Sequence, residues 1–564
     1  MRSLYIMGFI LALTLMLSAC GQGDPAGDAA GTGAAEISAP GVLPIVPNMG
    51  DVTLRFLVVQ HPAIIDWSTN AFVLWMEEQT NVKVEFETIT YEGREERVGL
   101  ILAAGADLPD AFVGGAAPNT AQVQRFGVGE GLLMPLNDLI DTYGHYVNQV
   151  WELFPDARSQ LTYLDGNIYS MPNINECFHC SLSHKMWINQ NWLDALGLSI
   201  PTTTDELYEV LLAFRDGDPN GDGSPTIPMA SAAAGGWQSD GFRFIMNSFL
   251  YFEADILGNP HGTNLGFGLD GDTVISPWFQ VDEMKEALHF INKLFREGLW
   301  DEASFTLTGE QLTTLVENPD GPLVGAFFSG WSGIHSRVSG DRYRAMRAVL
   351  PLRGPRGVQG TVHDMFDAVQ EGFFLSATNP HPEITIRWAD YLLSFDATIR
   401  SYLGVKNEGW REPLPGEVGI NGLPALYYAL VPWQEFEPQN EQLVQQIISF
   451  RPASFRLGEA MDVNIDLFSE PAIELLLQVV SEEYYPFGRT ENKMPPVRFT
   501  REEADATMIM RTEITSTIRE WITAFMRGER DIDNEYEDFV ALLRSLGMDD
   551  LMAKYQSAYD AQFR

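Results

Sequence analysis

Thr53-Leu-Arg-Phe-Leu-Val-Val59, Asn81-Val-Lys-Val-Glu-Phe-Glu87 and Asp110-Ala-Phe-Val113 are the runs whose order decides the fold. The first is mostly apolar, the second alternates with period two, and the third is short and stops at Gly114-Gly115. Helical patterns over Thr69–Thr80 and Arg94–Ala104 fill the gaps between them. The resulting β-α-β-α-β order predicts a parallel sheet with helices on both faces. Such sheets bind ligands beyond the C-terminal ends of their strands, so the loops at 60–67 and 114–119 are candidate binding edges.

Downstream the pattern turns helical. Met284, Leu288, Ile291 and Phe295 share one face at helical spacing. So do Ile384, Trp388, Tyr391, Leu392 and Phe395, and also Ile514, Ile518, Trp521, Ile522 and Phe525. These stripes mark core, which removes Trp388 and Trp521 from the ligand candidates. The chain closes on a helical hairpin: Tyr536–Leu546 stops at Gly547, and Asp549 is expected to cap a last helix to Ala561. No repeat at a solenoid period is visible.

The other end carries an address. Residues 1–20 begin with Arg2, continue as an apolar run from Leu4 to Leu17, and end in Leu17-Ser18-Ala19-Cys20. The run is too short for a comfortable membrane span. Small residues before a cysteine match the lipobox of bacterial lipoproteins, which implies cleavage before Cys20 and its lipidation. Residues 21–49 are rich in Gly, Ala and Pro and are expected to form a flexible tether, having little apolar surface to offset ordering entropy.

The chain has 564 residues and 36 Lys+Arg against 77 Asp+Glu, a net charge of −41. That balance excludes nucleic acid as a partner and docking through a basic face. The length suggests roughly three or four domain-sized units. With only three cysteines, Cys20, Cys177 and Cys180, the chain is not a disulfide scaffold. Catalytic signatures such as G-x-S-x-G, H-E-x-x-H and the P-loop are missing, so no enzymatic activity is expected.

Several stretches resemble one family. They include Leu108-Pro-Asp110, Lys185-Met-Trp-Ile-Asn189 with Trp192-Leu-Asp-Ala-Leu-Gly-Leu198, and Pro201–Tyr208. Asp218-Pro-Asn-Gly-Asp-Gly223, Gly330-Trp331, Asn379-Pro-His-Pro-Glu383, Gly404–Trp410 and Gln556–Asp560 follow in order. With the lipobox, the chain resembles the family 1 extracellular solute-binding proteins, the receptor lipoproteins of bacterial ABC importers. It is most similar to the long branch with the alginate-oligosaccharide-binding and LplA-type proteins.

The resemblance implies an α/β, type II periplasmic-binding-protein-like fold: two lobes joined by a hinge around a ligand cleft. Crossings are placed near Cys177–Lys185, Gly372 and Pro495. Lobe 1 is then 50–178 plus 372–495, and lobe 2 is 179–371 plus 496–564. The implied function is capture of a carbohydrate, an oligosaccharide above all, by lobe closure and its delivery to permease subunits. The protein is expected to be monomeric and to touch the membrane only through its lipid. The alternatives are a receptor for another solute such as a peptide, or a secreted polysaccharide-degrading enzyme.

Sugars stack apolar faces on aromatic rings and satisfy hydroxyls with carboxylates, amides and arginines. The candidates are Asp66 and Trp67 after the first strand, Trp237 after Gly235-Gly236, Trp331 in Ser329-Gly-Trp-Ser-Gly333, and Trp410. Trp331 and Trp410 are expected on opposite sides of the cleft, and Arg243 is the candidate for an acidic sugar. A half-buried loop anchor is the competing role for each tryptophan.

Asp218, Asn220 and Asp222 place oxygens at positions 1, 3 and 5 of an EF-hand-like loop, with Gly223 at 6. Ser224 is a fourth candidate ligand, while Met229 stands where the bidentate Glu belongs. The cofactor expected is at most one structural calcium ion; an Asx-turn loop is the alternative. Cys177-Phe-His-Cys180 reads as a small-loop disulfide stiffening the hinge, with a metal site completed by His179 and His184, or free thiols, as alternatives.

Cys20→Ala is expected to move the protein from the membrane fraction to the soluble one. Unchanged membrane retention, with no lipid on the N-terminal peptide by mass spectrometry, would refute the anchor.

Overall fold

Strand Thr53–Val59 and its neighbours show how the period-two pattern is used. Leu57 and Val59 point into a core with Val98 and Leu102 of helix Arg94–Ala104, and with Phe112 and Phe374. Phe56 points the other way, edge-on to Phe373 at 5.3 Å and to Trp388 of helix Pro382–Tyr391 at 5.0 Å. Burial on both faces explains why this run is nearly all apolar. The computed structural model describes residues 36–90, 93–254, 265–365, 368–431, 438–443, 445–462 and 464–564. Cys20 and the first part of the expected tether lie outside the described residues.

The first sheet has six strands. Their order is Phe450–Arg451, Ser170–Asn175, Val369–Leu375, Ala111–Val113, Thr53–Val59 and Lys83–Ile89. Thr53–Val59 runs parallel to both its neighbours, from Thr53↔Lys83 to Val59↔Ile89 on one side and with Phe56↔Ala111 on the other. Val369–Leu375 is antiparallel to Ala111–Val113 and to Ser170–Asn175, so one strand runs against the rest. The second sheet has four strands, in the order Met346–Val349, Met186–Asn189, Val324–Phe328 and Ile227–Ala230. Only its last pair is parallel.

Each sheet has its own core. The second is large and takes in Met284, Leu288 and Ile291 of helix Val281–Arg296. Ile514, Ile518, Ile522 and Phe525 of helix Arg501–Arg527 complete it, as their stripe predicts. No helix among the described residues is long and apolar enough to cross a membrane.

Several expectations change. Residues 38–47 are not a free tether: Ile45 and Val46 are buried, and Arg387 donates to the carbonyls of Ser38 and Val42. Phe395 is exposed, because its stripe was extended across a break: Ser394 caps a new helix, Phe395–Leu403, by accepting from Ala397 N. Gly547, at φ 94°, stands at the N-cap of the last helix, and Asp549 lies in its first turn. Gly372 lies inside strand Val369–Leu375, so the second crossing is completed before it. The third crossing is earlier than Pro495: Ile473, Leu476, Leu477, Val480 and Tyr484 already pack in the second core. An amphipathic helix, here Ile473–Tyr484, must bury its stripe wherever it lies, and this one has docked on the second sheet.

Candidate ligand-binding site

The register fixes which edges can form a site. Val59, Val113, Asn175 and Arg451 all end at one edge of the first sheet, where Val369–Leu375 begins. In the second sheet Ala230, Phe328 and Val349 end at the edge where Met186 begins. The crossings after Asn175, Val349 and Arg451 join these two edges.

The loops on the first edge pack closely. Gly114 is left-handed at φ 57°, and a Cβ there would lie 2.0 Å from Gln446 O, so this approach requires glycine. Beside it, Arg94, Glu95, Val98, Gly114, Gly115, Ala117 and Asn119 line a cavity of about 210 Å³. The expected 114–119 edge therefore has space next to it. The 60–67 loop is fuller. Trp67 is 2% exposed, with its ring 5.1 Å from that of Phe86. Asp66 caps the turn that follows, accepting from Ser68 N and Ser68 Oγ at 2.9 and 2.7 Å, and these bonds lower its pKa.

On the second edge, the structure brings Trp237 and the 329–333 loop together. Gly330 N donates to Trp237 O at 3.1 Å, and a Cβ on Gly330 would lie 2.3 Å from the Trp237 ring. Trp237 is half-buried, with His179 edge-on at 5.8 Å. Gln238 next to it is held at φ 57°, a conformation costly for a residue with a Cβ and one that tends to occur at functional loops. Trp331 does not share this setting. It is 4% exposed, belongs to the second core, and donates through Nε1 to Tyr343 Oη at 3.4 Å.

Arg243 is committed to the fold: its Nε donates to Ala254 O at 3.1 Å and its Nη1 lies 3.4 Å from His184 Nε2 and from Gln238 Oε1. Burial and Arg243 hold His184 well below the usual histidine range. Trp410 is 8% exposed and sits with Ile399, Leu403, Tyr427 and Phe455 in a small core beside the first sheet. It lines a groove of about 710 Å³ with Trp75, Tyr391, Arg400 and Lys406. Trp67, Trp331 and Trp410 are thus largely buried, the setting of the anchor role rather than of rings that stand open. Glycine-flanked loops let a large ring fold back into the core as readily as outward.

Cys177 and Cys180 are joined by a disulfide at the first crossing. His179 between them is kept well below its usual pKa, by burial first and then by Arg456, Lys185 and Arg451. Lys185 is fully buried, which pulls its pKa down to about 7, and its ammonium donates to His179 O at 3.0 Å and to Leu182 O. The third crossing meets this point. Arg456 Nη1 pairs with Glu474 at 3.2 Å and Nη2 donates to Asn175 Oδ1 at 2.7 Å. Glu176 accepts from Ala453 N at 2.7 Å. Arg451, Arg456 and Glu474 escaped the sequence reading; the signal was Phe450-Arg-Pro-Ala-Ser-Phe-Arg456, two arginines close together in a chain poor in cations.

The 218–224 loop is a set of side-chain-closed turns. Asp218 accepts from Gly223 N at 3.0 Å and Asp222 from Ser224 N at 2.9 Å. Asn220 turns its oxygen to Trp192 Nε1 at 2.8 Å and its amide to Ser224 Oγ at 3.1 Å. Asp218 and Asp222 are the hard donors available, and both are exposed. Met229, fully buried in strand Ile227–Ala230, offers nothing to a cation.

Two α/β cores, a first sheet with one reversed strand, and three crossings define a class: the type II periplasmic-binding-protein-like fold. The family model for bacterial extracellular solute-binding proteins matches residues 62–398, more than half of the chain, which therefore belongs to that family of binding proteins rather than enzymes. The chain is 25% identical over 523 residues to the fructooligosaccharide ABC transporter substrate-binding protein FusA of Streptococcus pneumoniae, covering 90% of each. FusA in complex with kestose superposes with a TM-score of 0.72 at 22% identity, over 90% of this chain and 99% of that one. A FusA structure described as an EF-hand mutant matches equally well, at 22% identity and the same coverage, with a TM-score of 0.72. The alginate-binding protein AlgQ2 without calcium ion matches at TM-score 0.65 and 21% identity, over 91% of this chain and 99% of that one.

Trp331→Ala is expected to cost roughly 3–5 kcal/mol of stability, the scale for emptying a buried aromatic site. Trp237→Ala is expected to leave the melting temperature nearly unchanged and to weaken saccharide binding. Melting curves and titration calorimetry on the two variants separate these roles; a Trp237→Ala variant that melts early with unaltered affinity would make that ring an anchor.

Proposed function

We propose that the protein is the extracytoplasmic receptor of an ABC importer that captures an oligosaccharide between two lobes and hands it to the permease. The observation that carries this reading is the convergence of both sheets' strand ends on the crossings, with Trp237 and the 329–333 loop together on one edge. Residues near 37–175 and 369–456 form lobe 1. Residues near 186–349 and 473–564 form lobe 2. Closure about the three crossings desolvates the sugar and creates the surface the permease reads. The protein works as a monomer. Cys20 carries the lipid, and residues 21–37 are the tether that remains once 38–47 are docked.

The likeness to FusA, described as fructooligosaccharide-binding, supports the carbohydrate class. Titration calorimetry against a panel of oligosaccharides and oligopeptides tests it. Saturable binding of a saccharide, with no reducing-sugar release, is the expected result. Binding of peptides alone, or hydrolysis of the saccharide, would overturn it.

Calcium is proposed in the 218–224 loop, held by Asp218 and Asp222. Asn220 joins them only if its oxygen leaves Trp192 or is shared with it. A bound ion would stiffen the loop and supply no chemistry. Because it binds the native state, added calcium should raise the melting temperature over that in chelator, by mass action. Identical melting in calcium and in chelator, or an undiminished gain in Asp218→Ala, would remove the site.

A further inference from the structure

Arg451 ends strand Phe450–Arg451 at the sheet edge that carries the crossings, and it is 2% exposed. Its carbonyl accepts from Glu176 N at 2.9 Å, which fixes the backbone. The face of its guanidinium lies 4.3 Å from the ring centre of Tyr402. Its Nε and Nη2 are buried and meet no acceptor. Those two nitrogens share one edge of the planar group, the edge that takes both oxygens of a carboxylate side-on. A buried cation without a partner is costly, so this unfilled edge calls for an explanation.

The surroundings do not fill it. Glu474 is engaged by Arg456, whose other arm holds Asn175. Glu176 accepts from Ala453 N. Burial, with Glu474 nearby, lifts the Glu459 carboxyl to about 8, so it brings little negative charge at pH 7. Burial first, and then Arg456, pull Arg451 itself down from its usual value, to about 10, leaving it protonated. Two arginines, Arg451 and Arg456, thus meet two carboxylates, Glu474 and Glu176, that are already engaged elsewhere. Arg243, by contrast, spends its nitrogens on Ala254, His184 and Gln238.

We propose that Arg451 is a specificity residue that grips the carboxylate of a uronic-acid unit, so that the receptor takes acidic rather than neutral oligosaccharides. This rests on the carbohydrate-binding reading. The carboxylate oxygens accept from Nε and Nη2, while Tyr402 covers the guanidinium face and Arg456, held by Glu474, adds attraction without contact.

The test uses the full mature chain and short oligosaccharides from pectate, alginate and glucuronoxylan, each beside its carboxyl-reduced, neutral counterpart. Calorimetry should show at least one acidic set binding roughly ten- to hundredfold more tightly than its reduced form, the scale of a charge-assisted pair. Arg451→Gln should abolish that preference, and Arg451→Lys, which keeps the charge and loses the two-pronged edge, should lose most of it. If Arg451→Gln fails to fold, Arg451→Lys carries the assignment to this residue, and the wild-type comparison can still overturn it. Equal affinity for acidic and reduced forms, or binding of kestose with none of the acidic sets, overturns the inference and leaves the carbohydrate reading standing. So does a melting gain from sodium sulfate or acetate that the acidic sugars do not exceed, which would mark a simple anion site. If no saccharide of either kind binds, the carbohydrate reading falls and this inference with it.

Discussion

Strand Val369–Leu375 sits at the centre of the first sheet but arrives from the second. It pairs with Ala111–Val113 on one side and Ser170–Asn175 on the other. Neither half of that sheet can bury its inner edge until the chain has passed through the second core and returned. The rest follows from this one pairing. The crossings must lie at a single edge, the reversed strand must enter from that edge, and the loops beyond it become a place that both cores reach. Loop closure over such a span costs entropy that grows slowly with length, but contacts this distant in sequence form late.

The crossings are polar where the cores are apolar. Asn175, Glu176, Arg451, Arg456 and Glu474 come from three separate stretches and meet at the first and third crossings. Another set gathers at the second, where Lys493 pairs with Glu253 at 3.1 Å and with Asp364 at 3.6 Å. Buried ion pairs add little net stability over an apolar packing, but they penalise misalignment heavily, since a lost partner leaves a buried charge. Segments that must bend and return to one geometry are suited by such contacts. Arg498 adds a link of the same kind between the cores, stacked 4.2 Å over Tyr163 and donating to Gln160 O.

Local periodicity made much of the fold legible. The run Thr53–Val59 and the helix Arg94–Ala104 lie where their patterns put them, and the stripe of Ile514, Ile518, Ile522 and Phe525 is core. Periodicity failed where it was carried across a break, as at Phe395, because spacing does not register a cap such as Ser394. It also failed to say which core a helix joins, so Ile473–Tyr484 was assigned to the wrong side. The site was less readable. A tryptophan beside glycine looks the same in sequence whether its ring stays half-buried, as at Trp237, or is taken wholly into the core, as at Trp331. Arg451 had no periodic context at all; its meaning lies in what surrounds it, and those neighbours come from elsewhere in the chain.

The docking of residues 38–47 has a mechanical side. Arg387 clasps the carbonyls of Ser38 and Val42, Ile45 N donates to Thr80 O at 2.9 Å, and Asn81 donates to Val46 O at 3.1 Å. Helices Pro382–Tyr391 and Ala71–Thr80 thus share the root of the N-terminal segment. A force applied through the N-terminus enters the first core directly, across several bonds loaded together. The second core would feel such a force through the crossings and through the contact of Arg498 with Tyr163.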